Sequence, residues 1–211
     1  MGQRSQIYVR WNLKNGKKMF VPRYYSWNYG TRMISRARGI VEWLENNGKF
    51  MGTPWYENEE KLRRIMDTNF DYKDVVLGVD LIKEWESYEQ SEDFNNVVFY
   101  GQDNNDGQLF IDMIVEYSDT LKEEKLKFKY VFLESSDGEK PMTGNEYMQW
   151  DECCEENKSW EENPYIQKEI RYTKRNIAWL EKHAELMTED EIKEFREYPY
   201  IIDIMALRKE N

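Results

Sequence analysis

The 211-residue chain has few of the residues that staple small folds or bind metals. It contains two cysteines, Cys153 and Cys154, and a single histidine, His183. Adjacent cysteines form only a strained ring disulfide and cannot link distant parts of a chain. Two thiols and one imidazole that stands well apart from them also make a poor zinc site. We therefore expect two reduced thiols, no metal site and no cofactor.

Long apolar runs and glycine-rich loops are missing as well. No hydrophobic run approaches the roughly 20 residues that cross a bilayer, and the N-terminus lacks the apolar segment of a signal peptide. The 11 glycines never occur at the spacings that cradle a pyrophosphate. No Ser, Cys or His stands in a recognisable nucleophile motif. These absences predict a cytoplasmic protein that is not an enzyme and has no membrane partner.

Charge is distributed unevenly along the chain, whose formal net charge is -11. In residues 1–64, Lys and Arg outnumber Asp and Glu by 13 to 5, whereas in residues 65–211 the count is 17 against 36. Aromatic residues make up 15% of the chain, which supplies ample apolar area for a core. A basic beginning joined to an acidic remainder suggests that the two parts meet different partners, or each other.

Hydrophobic periodicity predicts an α+β fold with an N-terminal β-hairpin and helix, central antiparallel strands and a helical C-terminal third. Residues 6–11 alternate as a strand, with Ile7, Val9 and Trp11 on one face and Gln6, Tyr8 and Arg10 on the other. Asn15-Gly16 suits a tight turn, and residues 18–21 pair back up to Pro22, which either ends the ladder or marks an edge. A helix then follows over residues 31–47 and is closed by Gly48.

After residue 48, the sequence predicts secondary structure clearly in some segments and ambiguously in others. Residues 74–86 are ambiguous between strand and helix, and residues 103–107 read as a hairpin turn rather than a calcium loop. Thr188 and Glu191 form a capping box that opens a short helix near the C-terminus. We expect a single domain over residues 1–211, with or without a helical subdomain at 144–211. Further predicted elements are a helix at 58–68, strands at 96–101, 108–117 and 126–134, and a long helix with an apolar stripe from Ile166 to Met187.

The most informative stretch is residues 22–38, Pro-Arg-Tyr-Tyr-Ser-Trp-Asn-Tyr-Gly-Thr-Arg-Met-Ile-Ser-Arg-Ala-Arg. Four aromatic rings and four arginines share these seventeen positions. Flat rings beside guanidinium groups are suited to holding nucleobases and phosphates. Cations at the start of a helix are unfavourable unless an anion joins them, and Arg32 and Arg36 stand there. The candidate ligand- or phosphate-binding residues are Arg10, Arg23, Tyr24, Tyr25, Trp27, Tyr29, Arg32, Arg36 and Trp43.

Each of these features has two open interpretations. The arginines either pair inside the fold with carboxylates from the acidic remainder, or they await an external phosphate or acidic ligand. The rings before the helix serve either as core packing or as stacking platforms. The acidic run at residues 146–163 is either a solvated face or an imitation of the nucleic-acid backbone that fits a partner's basic channel.

The block Tyr-Tyr-Ser-Trp-Asn-Tyr-Gly-Thr-Arg-Met-Ile-Ser-Arg-Ala-Arg (residues 24–38), after the strand Ser-Gln-Ile-Tyr-Val-Arg (residues 5–10), resembles a group of uncharacterised proteins. Phages and prophages of Gram-positive bacteria encode this group. The likeness is concentrated in residues 5–45 and is looser at residues 145–151. It implies a small accessory protein of a mobile element, and such proteins often act against host defence by binding.

Together these observations predict a non-enzymatic phage or prophage protein that antagonises bacterial defence. The leading hypothesis is an anti-CRISPR-type inhibitor that binds a nucleoprotein effector of the host, contacting the effector protein, its RNA or both. The alternative is a sponge that sequesters a nucleotide signal in an arginine and aromatic pocket. A sponge requires a closed pocket with Arg32 or Arg36 turned inward, whereas an inhibitor requires an open charged surface.

Overall fold

The computed structural model describes residues 3–48, 55–68, 75–88, 93–103, 105–118, 123–134, 140–150 and 164–209. In this part of the chain, six strands form one mixed sheet and helices cover both of its faces. The predicted α+β class, with an N-terminal hairpin and a helical C-terminal part, is confirmed. The acidic residues 151–163, which include Cys153 and Cys154, lie outside the described residues.

The sheet grows outward from two central strands. Its strands are β1 (Arg4–Asn12), β2 (Lys18–Ser26), β3 (Val79–Asp80), β4 (Gln108–Ser118), β5 (Glu123–Leu133) and β6 (Glu185–Leu186). They lie in the order β3-β2-β1-β4-β5-β6. The hairpins β1–β2 and β4–β5 are antiparallel, and β1 pairs with β4 in parallel. The two short strands β3 and β6 form the edges.

Two sets of helices sandwich the sheet. The helices are α1 (Gly30–Asn47), α2 (Trp55–Asp67), α3 (Leu81–Ser87), a π-helix (Asn96–Tyr100), α4 (Gly144–Trp150), α5 (Pro164–His183), α6 (Glu189–Glu197) and α7 (Tyr200–Lys209). Buried residues of α1, α2, α4 and α5 pack on the first face of the sheet. Buried residues of α3, the π-helix, α6 and the start of α7 pack on the second face.

Both faces of the central strands are therefore covered, each by a hydrophobic cluster of different composition. The first face joins Ile7, Val9 and Trp11 of β1 to the aliphatic side of α1. The second face is an aromatic cluster, in which the rings of Phe20 and Tyr200 stack with centroids 3.8 Å apart. Burying such area on both faces is the main source of stability in a sandwich of this kind.

Several local predictions are confirmed. The helix predicted at 31–47 spans Gly30–Asn47, and the β1–β2 hairpin turns around Gly16, whose φ is +82°. The capping box is present, since the Glu191 N–H donates to the Thr188 hydroxyl and the Thr188 N–H donates to the Glu191 carboxylate. Local sequence signals thus fix the ends of these elements.

One local prediction is wrong, and one of two alternatives for Pro22 is excluded. The strand expected at 96–101 is a π-helix, because the consecutive residues Val97, Val98 and Phe99 all contact the same second-face cluster, whereas a strand would point Val98 to the opposite side. Pro22 does not end its strand, which continues to Ser26. Proline is tolerated there because β3 pairs with β2 only at Arg23 and Tyr24.

Candidate functional site

Two of the candidate arginines, Arg23 and Arg36, point into the interior of the protein beside α1. Arg23 of β2 is buried, and its Nη2 donates to Oδ2 of Asp67, at the end of α2, over 2.6 Å. Burial opposes the charge of Arg23, but the hydrogen bond to Asp67, together with the charge of Asp67 and the interactions with Tyr25, outweighs burial and raises the pKa of the guanidinium. Arg36 is fully buried; its Nε donates to Oδ1 of Asn28 over 2.9 Å and its Nη1 donates to the carbonyl of Met66.

Arg10 lies on the opposite side of the sheet from Arg32 and Arg36. Side chains alternate along β1, so Arg10 faces the second face, whereas α1 lies on the first. Its Nη2 donates to Asp112 over 2.9 Å and to Glu194 over 2.5 Å, and its guanidinium lies 4.4 Å from the centre of the Phe195 ring. Arg10 therefore does not share a surface with Arg32 and Arg36, although all three are predicted from the sequence as binding residues.

The remaining candidates differ greatly in exposure. Tyr25 is fully buried and donates its hydroxyl hydrogen to Asp67 over 3.2 Å, and burial raises its pKa. Tyr24 packs against the second-face cluster and Trp43 against the first-face core. Tyr29 and Arg32 are half-buried at the start of α1. Among the nine candidates, only Trp27 is mostly exposed, at 58%.

Trp27 stands on a turn whose flanks are held by buried polar groups. Its φ is +64°, a left-handed conformation that is unusual for a bulky side chain. The Trp27 N–H donates to the carbonyl of Gln3 over 2.7 Å. The next residue, Asn28, is fully buried; its Nδ2 donates to the Ser5 hydroxyl over 3.0 Å, and its carbonyl accepts from that hydroxyl over 2.6 Å. Residues on both sides of Trp27 are thus fixed while the ring faces solvent.

A second exposed apolar feature lies at the same corner of the sheet. Val75, Leu77 and Val79 alternate along an extended segment and are 63%, 79% and 49% exposed. The segment ends in β3, which pairs near the end of β2 that Trp27 directly follows. We call Trp27, Val75, Leu77 and Val79 the corner patch.

Asp67 anchors this extended segment. Its carbonyl accepts from the N–H of Val76 over 2.9 Å, and its Oδ1 accepts from the N–H of Gly78 over 3.1 Å. The intervening Leu77 has no backbone hydrogen bond in the part of the chain that the structure describes. Asp67 therefore holds Arg23, Tyr25 and the segment together, and none of the described residues pairs with the outer edge of the segment at Leu77.

A charged cleft of about 340 Å³ lies between the second face of the sheet and α6. Burial opposes ionisation of Glu194, but its hydrogen bonds and charge interactions with Arg10 and Lys18 outweigh this effect and lower its pKa. Burial also opposes ionisation of Glu191, but the hydrogen bonds from Lys129 and Thr188, together with the charge of Lys129, outweigh burial and lower its pKa. Cations and carboxylates pair with one another across the cleft, and these ion pairs hold α6 against the sheet. Its charged lining residues are Arg10, Lys18, Asp112, Lys129, Glu191 and Glu194.

Of the corner patch, only Trp27 is among the residues that the sequence predicts as a site. Residues 74–86 are ambiguous between strand and helix from the sequence. The available signal is the spacing of Val75, Leu77 and Val79, which are two positions apart and so share one side of an extended segment. Sequence alone does not say whether another element covers that side.

Comparison of the chain with protein-family models, with curated proteins and with solved structures gave no match. Within the described residues, no three His, Cys, Asp or Glu side chains converge closely enough to hold a metal ion. A separate search of the same residues found no helix with the length and apolar character needed to span a bilayer.

Proposed function

We propose that this chain is a non-enzymatic binding protein of a phage or prophage, and that it antagonises a bacterial defence system by docking onto an effector protein. The likeness of residues 5–45 to phage and prophage accessory proteins supports the biological setting. The presentation of Trp27 supports the mode of action. An anti-CRISPR-type inhibitor, acting on a nucleoprotein effector, is the form of this proposal that we put forward for testing.

The observation that carries the proposal is an exposed tryptophan held in a strained backbone conformation. A left-handed non-glycine residue costs of the order of 1–3 kcal/mol and persists only where its surroundings enforce it. Here the enforcing groups, Ser5, Asn28 and Arg36, are buried beneath the turn. Tryptophan is also strongly enriched among the residues that dominate binding energy at protein interfaces. A rigid turn that displays Trp27 is therefore well suited to anchor a partner.

The chemistry of the corner patch favours a protein as this partner. Val75, Leu77 and Val79 offer aliphatic side chains, which pack against apolar side chains and give no hydrogen-bond recognition of bases. An extended segment with an open edge at Leu77 is a template for an additional strand. We therefore propose that an extended apolar segment of the effector pairs along residues 75–79 while Trp27 fills a pocket beside it.

The acidic surface of the protein supplies a second element of recognition. Glu189, Asp190 and Glu197 are exposed on α6, and Glu185 is exposed just before it. Proteins that bind nucleic acid carry basic channels, and a row of carboxylates is complementary to such a channel. Charge of this kind speeds association with a basic effector and makes the rate sensitive to salt.

The nucleotide-sponge alternative is less well supported. Arg36 does turn inward, as a sponge requires, but its Nε and Nη1 donate to Asn28 and to the carbonyl of Met66. Arg23 and Arg10 are paired with the carboxylates of Asp67, Asp112 and Glu194. A phosphate would have to displace these internal partners. We expect no rise in melting temperature when cyclic or linear nucleotides are added.

The proposal is tested by phage plating on a Gram-positive host that carries a CRISPR nuclease targeting the challenge phage. Expression of the chain is expected to restore plaque formation, and the variants Trp27→Asn and Leu77→Asp are expected to reduce this restoration. Ile202→Asp is the matched control, because Ile202 is 64% exposed on α7, away from the corner patch. Purified effector should bind the wild-type chain and the control directly, and bind both patch variants more weakly.

Two results contradict the proposal in different ways. If the chain restores plating in no strain of a panel carrying single defence systems, antagonism of defence is wrong. If plating is restored equally by wild type, Trp27→Asn and Leu77→Asp, the protein acts through another surface and the corner patch is not its docking site.

A further inference from the structure

The helix α5 carries a cluster of positive charge in an otherwise acidic protein. Over Pro164–His183 the sequence contains five Lys or Arg residues against two Glu residues, whereas the whole chain has a net charge of -11. Neither the N-terminal arginines nor the corner patch includes any residue of this helix. Its charge therefore requires a separate explanation.

Four of these cations and two aromatic rings share one side of the helix. Counted from Lys168, the other five residues lie 3, 4, 7, 11 and 14 positions further along the helix. At 100° and 1.5 Å per residue, the six side chains fall within an arc of about 100° and extend for about 21 Å. The core residues Ile177, Leu180 and Ala184 lie on a different side and pack on the sheet. We call this set the α5 stripe: Lys168, Arg171, Tyr172, Arg175, Trp179 and Lys182.

The stripe is accessible and its rings are framed by cations. Lys168, Arg171 and Arg175 are exposed, and with the half-buried Tyr172 they line a shallow depression of about 280 Å³. The Lys168 Nζ lies 5.7 Å from the centre of the Tyr172 ring, and the Arg175 guanidinium lies 4.8 Å from it. The side chains are thus gathered around one ring.

A second ring continues the pattern along the helix. Trp179 is half-buried, and the guanidinium of Arg38 from α1 lies 5.3 Å from the centre of its ring. His183 stacks on Trp179 with centroids 3.9 Å apart. No carboxylate belongs to the stripe itself, but Arg38 pairs with Glu42 over 3.6 Å and His183 with Glu45 over 3.0 Å. The positive charge is therefore concentrated around Tyr172, and Trp179 offers a ring beside it.

We propose that the α5 stripe binds single-stranded nucleic acid. Cations spaced along a helix contact successive phosphates, and aromatic faces between them stack on bases irrespective of sequence. The stripe has no Leu, Ile, Val or Phe, which a helix needs on its inserted face to lie in a lipid surface. Lys168, Arg171 and Arg175 contact phosphates, and Tyr172 stacks on the base between them.

This inference does not rest on the proposed function, because the two surfaces share no residue. The corner patch lies at the β2–β3 edge of the sheet, whereas α5 leads into β6 at the opposite edge. Failure of one site therefore leaves the other untouched. If both exist, the protein holds an effector at one edge and a nucleic-acid strand on the helices of the first face.

Fluorescence anisotropy with a labelled oligouridylate tests the proposal on the full-length chain. Three phosphate contacts predict a log–log salt slope of about -2, so the dissociation constant should rise about fourfold for each doubling of salt. Arg175→Glu and Lys168→Glu are each expected to weaken binding about tenfold, since reversal removes one charge-assisted contact and adds a repulsion. Lys193→Glu is the control, because Lys193 is 72% exposed on α6 outside the stripe.

The contribution of the Tyr172 ring to binding is tested separately from the contribution of charge. Tyr172→Ala is expected to weaken binding at least fivefold by loss of a stacked base, whereas Tyr172→Phe retains it. Both variants change a half-buried surface residue, and their melting curves show whether the fold is intact.

Three results overturn the proposal. The first is an absence of salt-dependent binding by the wild-type chain. The second is equal weakening by Lys193→Glu and Arg175→Glu, which indicates a diffuse effect of charge. The third is binding to phosphatidylglycerol vesicles without binding to the oligonucleotide, which assigns the stripe to a membrane surface.

Discussion

Asp67 is the residue on which the interior of the candidate site depends, and its removal should be strongly destabilising. Its carboxylate accepts from Arg23, from the Tyr25 hydroxyl and from the N–H of Gly78, at 2.6, 3.2 and 3.1 Å. Removing one partner of a buried ion pair leaves an uncompensated charge and costs about 3–5 kcal/mol. For a chain of this size each kcal/mol lowers the melting temperature by about 2–4 °C. We therefore expect Asp67→Ala to melt at least about 6 °C below wild type.

The assay is urea unfolding at neutral pH followed by far-ultraviolet circular dichroism, with a double-mutant cycle. The cycle combines Arg23→Met with Asp67→Asn and should show a coupling energy of about 1–3 kcal/mol. Each single variant leaves the remaining buried group of the Arg23–Asp67 pair without its partner. Glu60→Ala is the matched control. Glu60 pairs with Arg64 on the same helix at 3.2 Å, but both side chains are more than half exposed, so we expect a change below about 0.5 kcal/mol.

A small effect of Asp67→Ala would refute this reasoning. A loss of less than about 1 kcal/mol is incompatible with a buried Arg23–Asp67 pair. It would mean that Arg23 has no internal counter-ion in solution, and the phosphate-binding interpretation of the N-terminal arginines would regain its support.

Further predictions concern a pair of glycines and the charged cleft. Gly107 and Gly16 both have φ of +82°, but a Cβ on Gly107 would lie 2.4 Å from the carbonyl oxygen of Leu133, whereas nothing lies within 4 Å at Gly16. Gly107→Ala should therefore lose at least about 2 kcal/mol of unfolding free energy and Gly16→Ala about 1 kcal/mol, and equal losses would contradict the packing at Gly107. The pKa of Glu194 is lower in the folded protein than in the unfolded chain, where it is about 4.3. The stability that Glu194 contributes is therefore present above about pH 4.3 and is lost as the pH falls through the lower folded-state pKa. Glu194→Gln should flatten the fall in stability between about pH 5 and pH 3, and an unchanged pH profile would show that the contact with Arg10 is absent in solution.

The sequence predicted the elements whose signals are local. The Asn15-Gly16 turn, the α1 helix and the Thr188–Glu191 capping box each depend on a few neighbouring residues, and each is confirmed. The parallel pairing of β1 with β4 joins residues about one hundred positions apart. No local pattern encodes it, because both faces of β1 and β4 are buried and either strand would fit several neighbours.

The candidate site shows the same limit for side chains. The sequence groups arginines and aromatic residues at 22–38, and these residues also lie together in the structure. The direction in which each side chain points depends on residues that are distant in the sequence. Arg23 turns inward because Asp67 stands 44 positions further along the chain. Trp27 turns outward because Ser5 and Arg36 hold its neighbour Asn28. The choice between internal pairing and external binding is made by tertiary contacts, and charge counting does not reveal it.

The stripe on α5 was accessible to sequence reasoning and was missed. The apolar spacing of this helix was recognised, and it defines the buried side. The same wheel places Lys168, Arg171, Arg175 and Lys182 together on another side. The net charge of the whole chain, -11, gives no indication of a basic helix within it.

The most direct test of the central claim, that Trp27 is displayed for binding and does not support the fold, is the unfolding free energy of Trp27→Asn. Asparagine tolerates the left-handed conformation, so relief of strain offsets the loss of the partly buried ring. We predict a change within about 1 kcal/mol, against about 3–5 kcal/mol for Trp11→Ala, where the ring is fully buried. A loss for Trp27→Asn as large as that for Trp11→Ala would show that Trp27 is part of the core, and would contradict the account.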